Sequence, residues 1–192
     1  MNDIELINQV KKGNPNAYRF LVSKYQRLVF SIAYKMANQN QADIEDIAQD
    51  VFVKVYKNIK SYRKESKLST WIASIAWKTS IDFTRKKKRS RVEFTEEPEL
   101  FDEIDYVNSF EQLKQKELKQ LVQEVVSSLP VHYQTVLSLF YLEEFSLAEI
   151  HEITEMPLGT IKSYLSRARA LFKTELERVH GSDAINLLYK ET

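Results

Sequence analysis

Residues 146–172 read SLAEIHEITEMPLGTIKSYLSRARALF, and this stretch predicts two helices joined by a short turn. Ser146 is placed to cap the first helix, and Glu149, three residues later, can complete a capping box. Met156-Pro157 ends that helix, because proline breaks a helix interior but suits the first turn of a new one. The two helices are therefore predicted to be short, adjacent in sequence and sharply separated.

The second of these helices divides into an apolar and a cationic face. Four apolar residues recur at helical spacing: Ile161, Leu165, Ala168 and Phe172. The opposite face carries Lys162, Ser163, Tyr164, Ser166, Arg167 and Arg169. A short helix, a tight turn and a cationic second helix indicate a helix-turn-helix, whose second helix enters the DNA major groove. An ordinary helical hairpin with a solvated basic face is the alternative.

The composition of the whole chain favours an all-helical protein. Its 192 residues include three glycines, four prolines and no cysteine, and the net charge is +1. Few helix breakers favour helices, and the lack of cysteine excludes disulfides and thiolate chemistry. The first residues show no secretory signal pattern, and no window approaches the roughly 18 apolar residues of a membrane span. We therefore expect a cytoplasmic protein without direct membrane insertion.

The first third of the chain predicts three amphipathic helices, over residues 4–12, 17–37 and 41–59. Asn16 is expected to cap the second helix. The buried face of the third is predicted to contain Ile44, Ile47, Ala48, Val51, Phe52, Val55 and Tyr56. Asp46, Gln49 and Asp50 lie outside that face. They form either a docking surface for another protein or a solvated acidic patch.

A further helix follows from residue 68, and its far end is strongly basic. Trp77, Lys78 and Phe83 precede a dense run of cations: Arg85, Lys86, Lys87, Lys88, Arg89 and Arg91. Cations beside aromatic rings are typical of surfaces that hold single-stranded nucleic acid. The alternative is a solvated basic helix end, where cations interact with the helix dipole.

Composition divides the chain into two helical domains. Residues 91–109 contain seven acidic residues between Glu93 and Asp105 and the helix breaker Pro98, which predicts an acidic linker. We expect an N-terminal domain over residues 1–90, a C-terminal domain over 110–180 and a tail over 181–192. The C-terminal domain should begin with a helix over 110–128, and a second helix from Pro130 should pack through Tyr133, Val136, Leu137, Phe140 and Tyr141.

No catalytic site is apparent. His132, His151 and His180 lack metal-ligand spacing, and the chain has no glycine-rich phosphate loop and no GxSxG motif. We expect no enzyme activity, no cofactor, no metal and no small-molecule substrate.

Three segments together resemble the bacterial sigma factors of the ECF (extracytoplasmic-function) group. Residues 43–63, DIEDIAQDVFVKVYKNIKSYR, are similar to the family segment that grips the polymerase β′ clamp helices. Residues 69–89, STWIASIAWKTSIDFTRKKKR, are similar to the segment that opens and reads the −10 promoter element. Residues 129–172 are similar to the domain that reads the −35 element. The resemblance covers nearly all of residues 17–176.

The resemblance implies roles for individual positions. Asp46, Gln49 and Asp50 match polymerase-docking positions. Trp77, Lys78, Phe83 and the cations from Arg85 to Lys88 are expected to hold the −10 strand. In the second helix of the helix-turn-helix, −35 contacts are implied for Lys162, Ser163, Tyr164, Ser166 and Arg167. Thr160 and Arg169 are expected to contact phosphates, which position the protein without specifying sequence.

The chain departs from the family pattern at two places. Trp77-Lys78 stands where many members carry Arg-Asn, which puts the usual −10 preference in doubt. His151 stands where many members have alanine in the first helix of the helix-turn-helix.

The resemblance implies a protein that performs no chemistry. Its expected partners are core RNA polymerase, through the β′ clamp helices and the β subunit, together with promoter DNA and an anti-sigma factor. The competing hypothesis is a stand-alone helix-turn-helix regulator that binds a palindromic site as a dimer.

Overall fold

The computed structural model of the protein describes residues 2–37, 40–90, 122 and 124–180, and every regular element in those ranges is helical. The elements are α1 (Asp3–Lys11), α2 (Pro15–Met36), α3 (Gln41–Asn58), a 3-10 turn (Ile59–Ser61), α4 (Leu68–Ser90), α5 (Val131–Leu137), a π turn (Ser138–Leu142), α6 (Leu147–Thr154) and α7 (Leu158–His180). The all-α class and the C-terminal helix-turn-helix are confirmed. None of these helices is apolar over a stretch long enough to cross a membrane.

The first helices are capped by asparagine side chains. The Asn2 side chain accepts from the Glu5 backbone N–H at 2.8 Å, and the Glu5 carboxylate accepts from the Asn2 N–H at 3.2 Å. Asn14, rather than the predicted Asn16, caps α2. The reason is Pro15: proline has no N–H to satisfy and its fixed φ suits the first helical position, so the helix begins two residues earlier than expected.

Helices α2, α3 and α4 pack against one another and form the core of the N-terminal half. Leu21, Val29, Ile47, Val51 and Ile72 are among its fully buried side chains. In the C-terminal half α5 packs on α7, and α6 contacts α7. Helix α6 also packs on α4, and α5 contacts α2, so one apolar cluster runs through both halves.

The helix from Pro130 ends differently from the prediction. A π turn follows α5, and the Glu143 N–H donates to the Ser138 carbonyl at 3.0 Å, five residues back. The wider turn shifts the register, so Ser138 and Leu139 are buried and Tyr141 is exposed. The predicted inward packing of Tyr141 is therefore wrong.

Part of the sequence prediction lies outside the described residues. The predicted segments that lie outside are the acidic linker (91–109), the tail (181–192) and most of the helix predicted over 110–128. Residues 124–128 of that helix are described and are helical, and Val125 is buried.

Replacing Leu21 by alanine should destabilise the protein by about 2–5 kcal/mol, because a fully buried leucine leaves a cavity that its neighbours only partly fill. Its neighbour Phe20 is 47% exposed and provides the matched control. We expect Phe20→Ala to change stability by no more than about 0.5 kcal/mol. Urea denaturation followed by circular dichroism measures both. Equal losses in the two variants would contradict this assignment of the α2 faces.

Candidate nucleic-acid and protein interfaces

The helix-turn-helix is held by the capping box predicted from the sequence. The Ser146 Oγ accepts from the Glu149 N–H at 3.3 Å, and the Glu149 Oε2 accepts from the Ser146 N–H at 2.9 Å. Glu155 ends α6 in the left-handed conformation at φ 61°, and α7 begins after Pro157. These contacts fix the start of α6 and the turn, and so determine how α7 is presented.

Helix α7 presents the predicted cationic face to solvent. Ile161, Leu165 and Ala168 are buried, and Phe172 packs partly buried against the core. Lys162, Ser166 and Arg167 are exposed, whereas Thr160 and Ser163 are half-buried. The Ser163 Oγ donates to the Thr160 carbonyl at 2.9 Å, so this hydroxyl is engaged within the helix. A DNA duplex facing α7 would meet Lys162, Ser166 and Arg167 first.

Tyr164 belongs to an aromatic cluster that sequence reasoning missed. Its ring centroid lies 5.0 Å from that of His132 and 5.5 Å from that of Tyr133, the latter in an edge-on contact. Tyr164 is half-buried as a result. His132 and Tyr133 lie on α5, more than thirty positions earlier in the chain, and no local sequence pattern connects them with α7.

Arg169 lies at one margin of the cationic face. Its Nε donates to the Leu165 carbonyl at 3.3 Å, and its side chain lines a groove of about 900 Å³ between α2, the π turn and α7. Lys35 lines the same groove from α2, and burial lowers its pKa to about 8 despite the nearby Glu143 carboxylate. Arg169 therefore faces the N-terminal half as well as solvent.

The basic end of α4 differs from the prediction at Trp77. Its side chain is 8% exposed and belongs to the core, so the ring is not an open stacking surface in this conformation. Thr70 and Trp77 are seven positions apart, which places both on one side of α4. That side is packed against α6, because Thr70 contacts it.

The other predicted −10 residues are placed in several ways. Lys78 pairs with Glu155 at 2.7 Å, and Lys87 pairs with Asp43 at 2.5 Å. Phe83 is half-buried, and Arg85 and Lys86 are exposed. The side chain of Lys88 lies outside the described part of the chain. The structure thus gathers cations on the second half of α4, two of them already joined to carboxylates.

Helix α3 places Asp46, Gln49 and Asp50 on the exposed surface. Gln49 also lines an apolar groove of about 760 Å³ between α2 and α3, together with Phe52 and Tyr56. Tyr56 is exposed, so its predicted burial is wrong: its ring instead meets that of Tyr18, edge-on at 5.0 Å, on the surface of the helix pair. Of the three predicted docking positions, Gln49 therefore borders an apolar groove, whereas Asp46 and Asp50 are exposed on the same helix.

A polar contact joins α6 to α4. The Glu149 Oε1 pairs with the Lys67 Nζ at 3.0 Å and accepts from the Thr70 Oγ1 at 3.3 Å. Burial alone would raise the pKa of Glu149, but hydrogen bonds from Ser146 and Lys67 outweigh it and lower the pKa to about 2. Glu149 is therefore both the capping residue of α6 and its polar contact with α4.

Both departures from the family pattern lie near the turn after α6. Lys78 pairs with Glu155 in that turn. The His151 Nδ1 lies 2.7 Å from the Met156 carbonyl oxygen, which accepts a hydrogen bond from Nδ1 in the tautomer that carries a proton there. Among the described residues, no group of three or more His, Asp or Glu side chains is placed to hold a metal ion.

Comparison with known proteins matches both halves of the chain. The family models of Sigma-70 region 2 and Sigma-70 region 4 match residues 21–90 and 119–172. The ECF RNA polymerase sigma factor SigW of Bacillus subtilis is 36% identical over 88% of this chain and 94% of its own length. The ECF RNA polymerase sigma-E factor of Haemophilus influenzae is 30% identical over 92% of this chain and 96% of its own.

Solved structures show the same fold. CnrH, in complex with the cytosolic domain of CnrY, matches 92% of this chain and 98% of its own with a TM-score of 0.63 and 19% identity. The sigma factor RpoE of Bartonella quintana, in complex with the anti-sigma factor NepR, matches 85% of this chain and 98% of its own with a TM-score of 0.67 and 20% identity.

The low pKa of Glu149 predicts a pH-dependent stability. Because the folded-state pKa is depressed, this carboxylate stabilises the fold fully above its ordinary pKa of 4.5, and the contribution is lost as pH falls from there toward about 2. Glu149→Gln should therefore lower the melting temperature at pH 6, and the difference from the natural protein should shrink by pH 3. Glu152→Gln, at an exposed position of α6, is the control and should leave the difference near zero throughout.

Proposed function

The chain belongs to the ECF group of RNA polymerase sigma factors, and on this premise we propose which surfaces bind polymerase and which contact the promoter. As a sigma factor it binds core RNA polymerase and promoter DNA and directs transcription initiation. Sigma factors are regulatory proteins rather than classical enzymes. Because the protein acts together with RNA polymerase on promoter DNA, the proposed location is the cytoplasm.

Helix α3 and the adjoining groove form the polymerase-docking surface in this proposal. The supporting observations are the exposure of Asp46, Gln49 and Asp50 and the apolar groove, with exposed aromatic residues, that Gln49 and Glu45 border. Carboxylates at the margin would favour the approach of a basic partner surface, and the apolar groove would provide buried contact area. The β′ clamp helices are the partner that the resemblance implies.

Helix α7 reads the −35 element in this proposal. The exposed cationic side of α7, with Lys162, Ser166 and Arg167 in its centre, carries the assignment. Arg167 is suited to a bidentate contact with guanine, whereas Thr160 and Arg169 at the margins are suited to phosphates. Tyr164 is held by His132 and Tyr133 and would contact DNA with a ring of restricted orientation.

The second half of α4 holds the −10 strand in this proposal. Lys78, Phe83 and the cations from Arg85 to Lys88 are its residues. Trp77 is buried and joins them only in a conformation that exposes its ring. Two linked weak DNA sites act together through their effective concentration, so neither domain needs to bind tightly alone.

An anti-sigma factor is the proposed regulator. The observation that supports it is the apolar groove between α2, the π turn and α7, which a partner contacting both halves would cover. Exposed aromatic and aliphatic residues line this groove: Phe30, Tyr34, Tyr141 and Leu142.

No described feature favours the competing hypothesis of a dimeric stand-alone regulator, and the matches to known sigma factors span both halves of the chain.

Run-off transcription with purified core polymerase separates the two kinds of surface. Asp46→Ala should weaken binding to core enzyme, because it removes a charge from the docking surface. Arg167→Ala should leave that binding intact and reduce transcription from −35-dependent promoters, with a loss of roughly 5- to 150-fold, since a bidentate base contact contributes about 1–3 kcal/mol. Polymerase binding is measured separately, with labelled protein.

Two further variants are the controls for that experiment. Glu177→Ala removes an exposed carboxylate and Lys12→Ala an exposed cation, both away from the proposed surfaces. Each should transcribe like the natural protein. Unchanged transcription in both Asp46→Ala and Arg167→Ala would reject the residue assignments.

The free protein should bind promoter DNA weakly. Each half offers a small contact area, and Lys78 and Lys87 are already paired with carboxylates. A gel shift with duplex promoter DNA should show a clear complex only after core polymerase is added. Tight, sequence-specific binding by the isolated chain would contradict this.

A further inference from the structure

Three aromatic rings meet where α5 lies against α7, the second helix of the helix-turn-helix. The ring centroid of Tyr164 on α7 lies 5.0 Å from that of His132 and 5.5 Å from that of Tyr133. The His132 and Tyr133 centroids are 4.1 Å apart, so each ring contacts both of the others. These three residues form the ring cluster. It joins the proposed DNA-reading helix to a helix that has no other role in promoter recognition so far.

The α5 side of the ring cluster is fixed to the core. The Gln134 Nε2 donates to two backbone carbonyls just before α5, at 2.7 and 3.0 Å, and Val136 is fully buried. Tyr133 packs against this core, whereas His132 is exposed. Tyr133 therefore supports the Tyr164 ring from the core side, and His132 covers it from the solvent side.

The position of Tyr164 on α7 determines what its ring can contact. Tyr164 follows Thr160 by four residues and precedes Arg167 by three, so the three side chains share one side of the helix. The ring is half-buried in the cluster, and the rest of it faces solvent. An arginine pairs with guanine through hydrogen bonds, but an apolar surface in the major groove recognises the C5-methyl group of thymine. An aromatic ring at position 164 therefore suits a thymine.

The ring cluster restricts the orientation of this aromatic side chain before DNA binds. A side chain that rotates freely in the free protein loses conformational entropy when it is fixed in a complex. His132 and Tyr133 already hold Tyr164 between them, so less entropy is lost on contact. A ring held in this way also keeps its apolar surface in one place, which selection of a single methyl group requires.

We propose that Tyr164 selects a thymine of the −35 element through its C5-methyl group, and that His132 is the positioning residue that holds the tyrosine ring in place. The proposal rests on the proposed assignment of α7 to the −35 element, and adds a base preference and a residue outside α7. Tyr164 and Arg167 are about 4.5 Å apart along the helix axis, and neighbouring bases of a strand are about 3.4 Å apart. The thymine therefore lies within about two base pairs of the guanine that Arg167 contacts.

The methyl group can be removed from the promoter without any other change. Templates randomised over the −35 region and transcribed by core polymerase with the full-length protein identify a preferred thymine. Replacing this thymine by deoxyuridine deletes only its methyl group. At limiting holoenzyme, run-off transcription should fall roughly fourfold, as expected for one methyl-sized group removed from water. Equal transcription from the two templates, or the absence of a preferred thymine, would overturn the methyl contact.

Variants of the ring cluster are compared on the same two templates. Tyr164→Phe keeps the ring and should keep the roughly fourfold difference, whereas Tyr164→Ala should transcribe both templates equally. His132→Ala frees the ring and should reduce the difference to below about twofold, and His132→Phe, which preserves ring packing, should restore it. Val131→Ala is the matched control, because Val131 is the neighbouring exposed residue of α5 and lies outside the ring cluster. It should behave like the natural protein.

The ratio between the templates separates positioning from a general loss of stability. If His132→Ala lowered transcription from the thymine and deoxyuridine templates by the same factor, His132 would be a stabilising residue or a phosphate contact, and its positioning role would be overturned. Retained helical circular dichroism in every variant excludes unfolding.

The contact between the rings is also measured without DNA. In the full-length protein with ¹³C-labelled tyrosine rings, Tyr164→Phe identifies the Tyr164 signals in the NMR spectrum. His132→Ala should shift these signals, and Val131→Ala should not. Unshifted signals in His132→Ala would reject the contact between the rings. Selective transcription without a methyl effect would reject only the thymine contact, whereas a natural protein that transcribes no template would reject the proposed function as well.

Discussion

The structure depends on the two-sided burial of helix α4. One side packs on α2 and α3, through residues such as Ile72, and the other receives α6. Small side chains, Ala73 and Ala76, allow close approach of the neighbouring helices. Helix α4 completes the core that α2 and α3 form and provides the polar partner of α6, so the two halves of the chain share one stabilising element.

This dual burial gives α4 a role in both halves of the chain. Its basic second half is suited to a nucleic-acid strand, while Thr70 in its first turn and Lys67, just before the helix, bind Glu149. Glu149 in turn closes the capping box of α6. A carboxylate that stabilises one helix end therefore also determines where the helix-turn-helix lies, and its depressed pKa reflects both sets of hydrogen bonds.

Predictions made from local patterns succeeded where the physical cause is local. The capping box of Ser146 and Glu149, the break at Met156-Pro157 and the apolar stripe of α7 all depend on residues within a few positions of one another. The same reasoning failed at Tyr56 and Tyr141. An aromatic residue at the margin of a stripe is buried only if a neighbouring element covers it, and at Tyr141 the π turn also rotated the register.

By itself the sequence determined the helical class, the helix-turn-helix with its cap, the family and the cations exposed on α7, because periodicity, capping and composition act over short distances along the chain. Only the tertiary structure decided the burial of Trp77, the pairing of Lys78 with Glu155, the contact of Glu149 with Thr70 and the clustering of His132 and Tyr133 around Tyr164. These contacts join residues far apart in sequence, and their formation depends on how α4, α5, α6 and α7 pack, which no local pattern encodes.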